Sequence, residues 1–125
     1  MLTRDQKRAK HAYACVKRLS TGQRDNYKVL VNGLGANILR SGLAATIAFL
    51  ERENREEAKL LLKDLDDAEI PGLEPKGNLS FPDRVRELDL DKYMLATREM
   101  LRVVLWFRRA VQADPKAPEP KEKAR

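Results

Sequence analysis

His11 and Cys15 lie four residues apart, a spacing that on a helix sets an imidazole beside a thiol. In that arrangement the imidazole would take the thiol proton and leave a thiolate nucleophile. Cys15 sits among small apolar residues, however, where a cysteine is ordinarily inert packing, and His11 falls on the polar side of the helical wheel. Asp64 and Asp67 form a carboxylate pair, but in an acidic segment without histidine, a weak basis for a divalent nuclease centre. Residues 28–38 (KVLVNGLGANI) imitate a strand entering a dinucleotide-binding turn. Ile38 stands where the third glycine is required, and helical periodicity follows, so no βαβ unit is available to hold a pyrophosphate. Gly33 and Gly35 are better explained by close helix packing. Nothing reads as an active site, and the expectation is a protein without enzymatic chemistry, cofactor or metal.

Two arginine-rich stripes carry more content. At about 100° per residue, Ala9, Ala12, Tyr13, Val16 and Leu19 cluster on one side of a first helix. Arg4, Lys7, His11 and Arg18 form a stripe nearly opposite, flanked by Arg8, Lys10 and Lys17. On the last helix Arg98, Arg102 and Arg109 fall within about 40° of one another, next to Trp106. Such faces attract phosphates and release counterions without reading base sequence. Lys17, Arg18, Arg98, Arg102 and Arg109 are therefore the candidate nucleic-acid-binding residues, and the RNA-binding residues if the partner is RNA. An exposed Trp106 would stack on an unpaired base, but a large aromatic is more often core, and that is the expectation here. Charge alone does not separate RNA from DNA.

The elements that must position these groups are helical. Leu, Ala, Arg, Lys and Glu make up 67 of the 125 residues, against 14 Val, Ile and Thr, which favours long helices over sheet. Thr3 with Gln6 forms a capping-box pattern, so a first helix starts near Thr3 and ends around residues 20–22. A second is expected over 25–40, with Tyr27, Leu30, Val31, Leu34, Ile38 and Leu39 apolar. A short apolar helix over 43–50 follows, then an amphipathic one over 54–68 with Ala58, Leu61, Leu62 and Leu65 inward and Glu51 paired to Arg55. Residues 69–82 hold three prolines and two glycines and read as loop. A helical turn over 83–88 leads to Asp89, an N-cap for a long helix to about Ala113. Its expected core side is Leu90, Tyr93, Ala96, Met100, Val103, Val104, Phe107 and Val111.

The expected architecture is one all-α bundle of five to six helices over 1–113, with a disordered Pro/Lys/Glu-rich tail over 114–125. One cysteine excludes an intrachain disulfide, and no stretch approaches the roughly 20 apolar residues of a membrane span, so a cytoplasmic protein is expected. The net charge of +6 is uneven: +6 over 1–28, −4 over 51–70 and +3 over 93–113.

Three runs in this order are familiar: His11-Ala12-Tyr13; Tyr27 to Leu50, above all residues 41–50 (SGLAATIAFL); and Tyr93 through Arg98-Glu99-Met100-Leu101 and Trp106-Phe107-Arg108-Arg109-Ala110 to Ala113. Over roughly residues 5–113 the chain resembles the small helical subunit of the type III-B CRISPR effector, the Cmr (RAMP module) complex. The resemblance implies a compact all-α, non-catalytic subunit that stacks with copies of itself into a short filament. That filament would lie beside the backbone subunits carrying the CRISPR RNA, its basic surfaces cradling the target RNA that those subunits cut. It also implies structural roles for Tyr13, Gly42, Phe49 and Trp106. Arg108-Arg109 stands where the family more often has Lys-Arg, which keeps the charge. The helix-1 stripe is not a family motif and rests on the wheel alone. The acidic 51–70 segment is expected to dock against the basic face of a neighbouring copy. Rival readings are a stand-alone DNA-binding regulator, for which the helix after Gly42 is too apolar to serve as recognition helix, and a protein–protein adaptor.

Overall fold

The computed structural model describes residues 1–114. Six helices make up the described chain: α1 (Arg4–Lys17), α2 (Thr21–Ser41), α3 (Leu43–Arg52), α4 (Glu56–Asp66), α5 (Phe81–Arg86) and α6 (Leu90–Ala113). No strand occurs among the described residues, so the all-α class holds. The expected tail lies outside the described residues except for Asp114, which pairs with the buried Arg24 and ties the end of α6 to the start of α2. None of the helices is long and apolar enough to cross a membrane.

Local sequence accounts for most boundaries. Thr3 and Gln6 close the expected capping box on α1. α2 begins four residues before its expected start, because Ser20 and Gln23 form a second box: Gln23 Oε1 accepts from Ser20 N at 3.0 Å. Gly22 thus lies inside α2 rather than ending α1. Ser80 caps α5 through Asp83 N at 3.2 Å, with Pro82 in its first turn, so this helix starts two residues earlier than expected. Asp89 caps α6 as expected, accepting from Lys92 N at 3.0 Å. The Glu51–Arg55 pair does not form, because the chain leaves the helix after Arg52; Glu51 instead meets Arg86 at 2.9 Å, and Arg55 meets Glu53.

α6 is the central element, packed on α1 and α2, while α3 joins α2 to α4 and α5. Tyr27, Leu34, Leu43, Ile47, Leu50, Leu61, Leu65, Met100 and Phe107 fill the core. Gly42, at φ +93°, turns the chain from α2 into α3 against the Tyr93 hydroxyl, which accepts from Ala44 N at 2.9 Å and so satisfies one free amide at the α3 start. Gly72, also at φ +93°, brings the 67–80 loop onto α6, where a Cβ would meet Lys92 O at 3.3 Å. The close packing expected at Gly33 and Gly35 is not needed: a Cβ at either would make only ordinary contacts, at 3.8 and 3.7 Å. Three residues expected on core faces, Tyr13, Leu39 and Leu90, are exposed, each lying at the rim of its apolar stripe.

Candidate nucleic-acid interface

α1 and α6 lie side by side and run the same way. Arg4 and Arg8 reach Glu99 near the middle of α6, while Tyr13, Val16 and Lys17 share a cavity of about 160 Å³ with Ala110, Ala113 and Asp114 at its end. Arg4 and Lys17 of the first basic segment therefore lie beside the basic last helix.

Glu99 organises that region. It is buried, with 3 % of its side chain exposed, and four guanidiniums converge on it. Arg8 Nη2 donates to Oε1 at 2.6 Å; Arg4 Nη1 approaches the same oxygen at 3.4 Å. Arg102 Nη1 and Arg98 Nε lie 3.4 and 3.7 Å from Oε2. The hydrogen bond from Arg8, above all, holds the Glu99 carboxyl below the ordinary carboxylate range, against the opposing pull of burial. Arg8, placed by the wheel beside a solvated stripe, is thus a buried structural residue. Its partner lies 91 positions away, which no local pattern reveals.

The five predicted residues do not converge on a point. Arg98 and Arg102 share Glu99. Arg109 lies about two turns beyond Arg102 on the same outer face of α6, its guanidinium 4.7 Å from the centre of the Trp106 ring. Trp106 is half-buried, neither the full core residue expected nor a free stacking platform. Lys17 is exposed at the end of α1, near the end of α6. Arg18, just beyond α1, turns the other way, donating to Cys15 Sγ at 3.2 Å and lying 3.6 Å from Asp64 Oδ1 on α4. Arg4 is not among the five, although it joins α6 at Glu99. The sequence signal for it is Glu99 itself, an acid set among the α6 arginines.

The residues considered for nucleophilic chemistry are held in packing roles. His11 is half-buried rather than solvated: its Nε2 lies 2.8 Å from Asp64 O, and its ring meets Phe107 edge-on with centroids 5.8 Å apart. Cys15 is buried, and that burial, followed by the Asp64 charge, pushes its thiol up to about 12, so it stays protonated at neutral pH. Asp64 is buried and accepts from the Tyr27 hydroxyl at 2.7 Å, whose own ionisation is driven far up by burial first and Asp64 second. Asp67 pairs with Lys63 instead of with Asp64. No group of three or more metal-ligating side chains comes together among the described residues.

The acidic 51–70 segment is largely neutralised within the fold. Asp66 pairs with the buried Arg84, Glu51 with Arg86 and Glu53 with Arg55, while Glu57 and Asp64 are buried. Glu56 and Glu69 are exposed and form no ion pair among the described residues. A docking role expected of the whole segment narrows to these two.

The family model for the CRISPR-associated protein (Cas_Cmr5) matches residues 4–114. A curated relative, "CRISPR system Cmr subunit Cmr5" of Thermus thermophilus, is 32% identical over 114 residues, spanning 90% of this chain and 96% of its own. The X-ray crystal structure of a CRISPR-associated Cmr5 family protein from the same organism superposes with a TM-score of 0.69 at 27% identity, covering 90% of this chain and 97% of that one.

Proposed function

The chain belongs to the CRISPR-associated Cas_Cmr5 family, and from that premise we propose that it is a non-catalytic small subunit of a type III-B Cmr complex that stacks with copies of itself and holds target RNA in a basic groove. The observation that carries the RNA-holding reading is the outer face of α6, where Arg98, Arg102 and Arg109 stand exposed in one line. At 1.5 Å per residue, those three span about 16 Å along the helix, enough to follow several phosphates of an extended strand. Arg109 lies over Trp106, and its exposed guanidinium plane offers a stacking surface to an unpaired base. Lys17 extends the basic face at the end of α1, and Arg18 adds charge on the α4 flank.

The non-catalytic reading is supported by the state of the chemical groups: a thiol kept protonated, a histidine occupied by a backbone carbonyl, and a carboxylate occupied by a tyrosine hydroxyl. Self-stacking would set the exposed Glu56 against the basic face of the next copy. The complex itself, made of other Cmr subunits and CRISPR RNA in the cytoplasm, is the proposed partner and setting.

The test is recovery of the tagged chain from its native cell under gentle conditions. The expected result is a large assembly carrying RNA and other Cmr subunits, with more than one copy of this chain. Recovery of a monomer without RNA overturns the reading.

A further inference from the structure

Four guanidiniums surround the Glu99 carboxylate, but only one of them is bonded tightly. The 2.6 Å contact from Arg8 is a strong charge-assisted hydrogen bond between two buried side chains. The other three contacts, at 3.4, 3.4 and 3.7 Å, lie beyond the usual length of such bonds, and Arg4, Arg98 and Arg102 keep 66, 65 and 59 % of their side chains exposed. Glu99 thus gathers three exposed cations from two helices without using up their donors. One negative charge faces four positive ones, so a positive excess stands at this spot even with Glu99 ionised.

We propose that Arg4, Arg98 and Arg102 form a seat for one phosphate group of bound RNA, with Glu99 as the positioning residue that gathers them. This rests on the RNA-holding reading above and sharpens it: Arg98 and Arg102 serve the same phosphate, and Arg4 joins them from α1. Phosphate chemistry fits better than a protein carboxylate. The two non-bridging oxygens of an RNA phosphodiester splay from a tetrahedral phosphorus, so forks from two helices reach them from different sides, and the next phosphates of the strand run on toward Arg109, a continuation that a single planar carboxylate does not offer. Arg8 stays on Glu99 when the seat fills, so the fold does not change with occupancy.

The experiment uses the full-length chain and a short single-stranded oligouridylate, with affinity measured by fluorescence anisotropy from about 50 to 200 mM salt. Each phosphate contact on a single strand contributes about 0.7 to the log–log salt slope. The triple variant R4A/R98A/R102A leaves the Arg8–Glu99 bond in place and is expected to bind more weakly, with a total slope reduction of about 0.7. A reduction of about 2, the value for three separate phosphates, overturns the shared seat, and so does no reduction at all. Wild-type RNA binding with reduced self-association in the triple variant also overturns it, by assigning the arginines to a carboxylate of a second copy. A wild-type chain that fails to bind the strand at the lowest salt overturns the RNA-holding reading and the seat together.

Glu99→Gln supplies a readout that a purely structural role would not move. Removing a negative charge favours RNA binding by simple electrostatics, yet loss of the gathering carboxylate predicts weaker binding in the folded variant. Tighter binding contradicts the positioning role.

Discussion

Arg8 Nη2 donates to Glu99 Oε1 at 2.6 Å, joining α1 to α6 through two side chains that are both buried. Removing one partner of a buried ion pair strands the other charge, at a cost of about 3–5 kcal/mol. Arg4, Arg98 and Arg102 still surround Glu99 in Arg8→Ala, so this variant is expected to fall below that range, lowering unfolding free energy in urea titration by about 1.5–3 kcal/mol, the worth of a hydrogen bond to a charged group. Arg4→Ala touches the same carboxylate from an exposed position at 3.4 Å and is expected to cost less than about 1 kcal/mol. Equal effects from the two variants would contradict the division between structural and exposed arginines.

The same pair sets an acid dependence. The folded Glu99 carboxyl ionises below its ordinary value of about 4.3, so the stability it contributes is fully present above that value. It is lost as pH falls from there through the lowered folded value. Unfolding free energy measured between neutral pH and about pH 3 should drop more steeply for the wild type than for Glu99→Gln. Parallel curves would refute the linkage.

Glycines divide into those the backbone requires and those it tolerates. Gly42 holds φ +93° with ψ 161°, a region nearly closed to other residues, so Gly42→Ala is expected to destabilise by about 1–3 kcal/mol. Gly33 is helical, and a Cβ there would contact only Asn37 Nδ2 at 3.8 Å. Gly33→Ala is expected to stabilise by up to about 1 kcal/mol through helix propensity. Thermal melts of the two variants check both signs, and a destabilising Gly33→Ala would mean that the cavity Gly33 lines with Asn37 of α2 and Phe49 of α3 needs the glycine.

Cys15 is expected to resist alkylation while the chain is folded. With the thiol pushed up to about 12 by burial, little thiolate exists at pH 8, and the buried sulfur is out of reach. Iodoacetamide should label it only after denaturant is added. Rapid stoichiometric labelling of the native chain would restore it as a candidate nucleophile.

Much of the fold is legible in the sequence because it depends on near neighbours. Helical periodicity, the Thr3–Gln6 box, the Asp89 cap and the proline-rich loop all act within a few residues; the box and the Asp89 cap are found at their expected places, while the loop gives up residues 81 and 82 to α5. Ser20 with Gln23 is equally local, but Gly22 between them reads as a helix stop, which displaces the expected start of α2. The polar groups buried at Arg8, Arg24, Glu57, Asp64, Arg84 and Glu99 are not legible. Arg8, Arg24, Asp64, Arg84 and Glu99 each gain a partner across the fold, and a helical wheel assigns a charged residue to water unless that partner is known. For the same reason, the net +6 and its uneven segments locate the basic region but not its individual members. Arg8 belongs to the core, Arg18 turns toward α4, and Arg4 meets Arg98 and Arg102 at Glu99.

The central claim is that this face of the subunit holds RNA through its cations. Its most direct measurement is the affinity of a reconstituted Cmr complex for target RNA across a salt series, comparing the wild-type chain with one carrying Ala at Lys17, Arg18, Arg98, Arg102 and Arg109. All five side chains are exposed in the isolated chain, and because the basic face is also the proposed partner of Glu56, the comparison is made on complexes of equal subunit composition. The account predicts a weaker complex with target RNA and a flatter log–log salt dependence, by about 0.7 for each phosphate neutralisation removed. Unchanged affinity with an unchanged slope would contradict it.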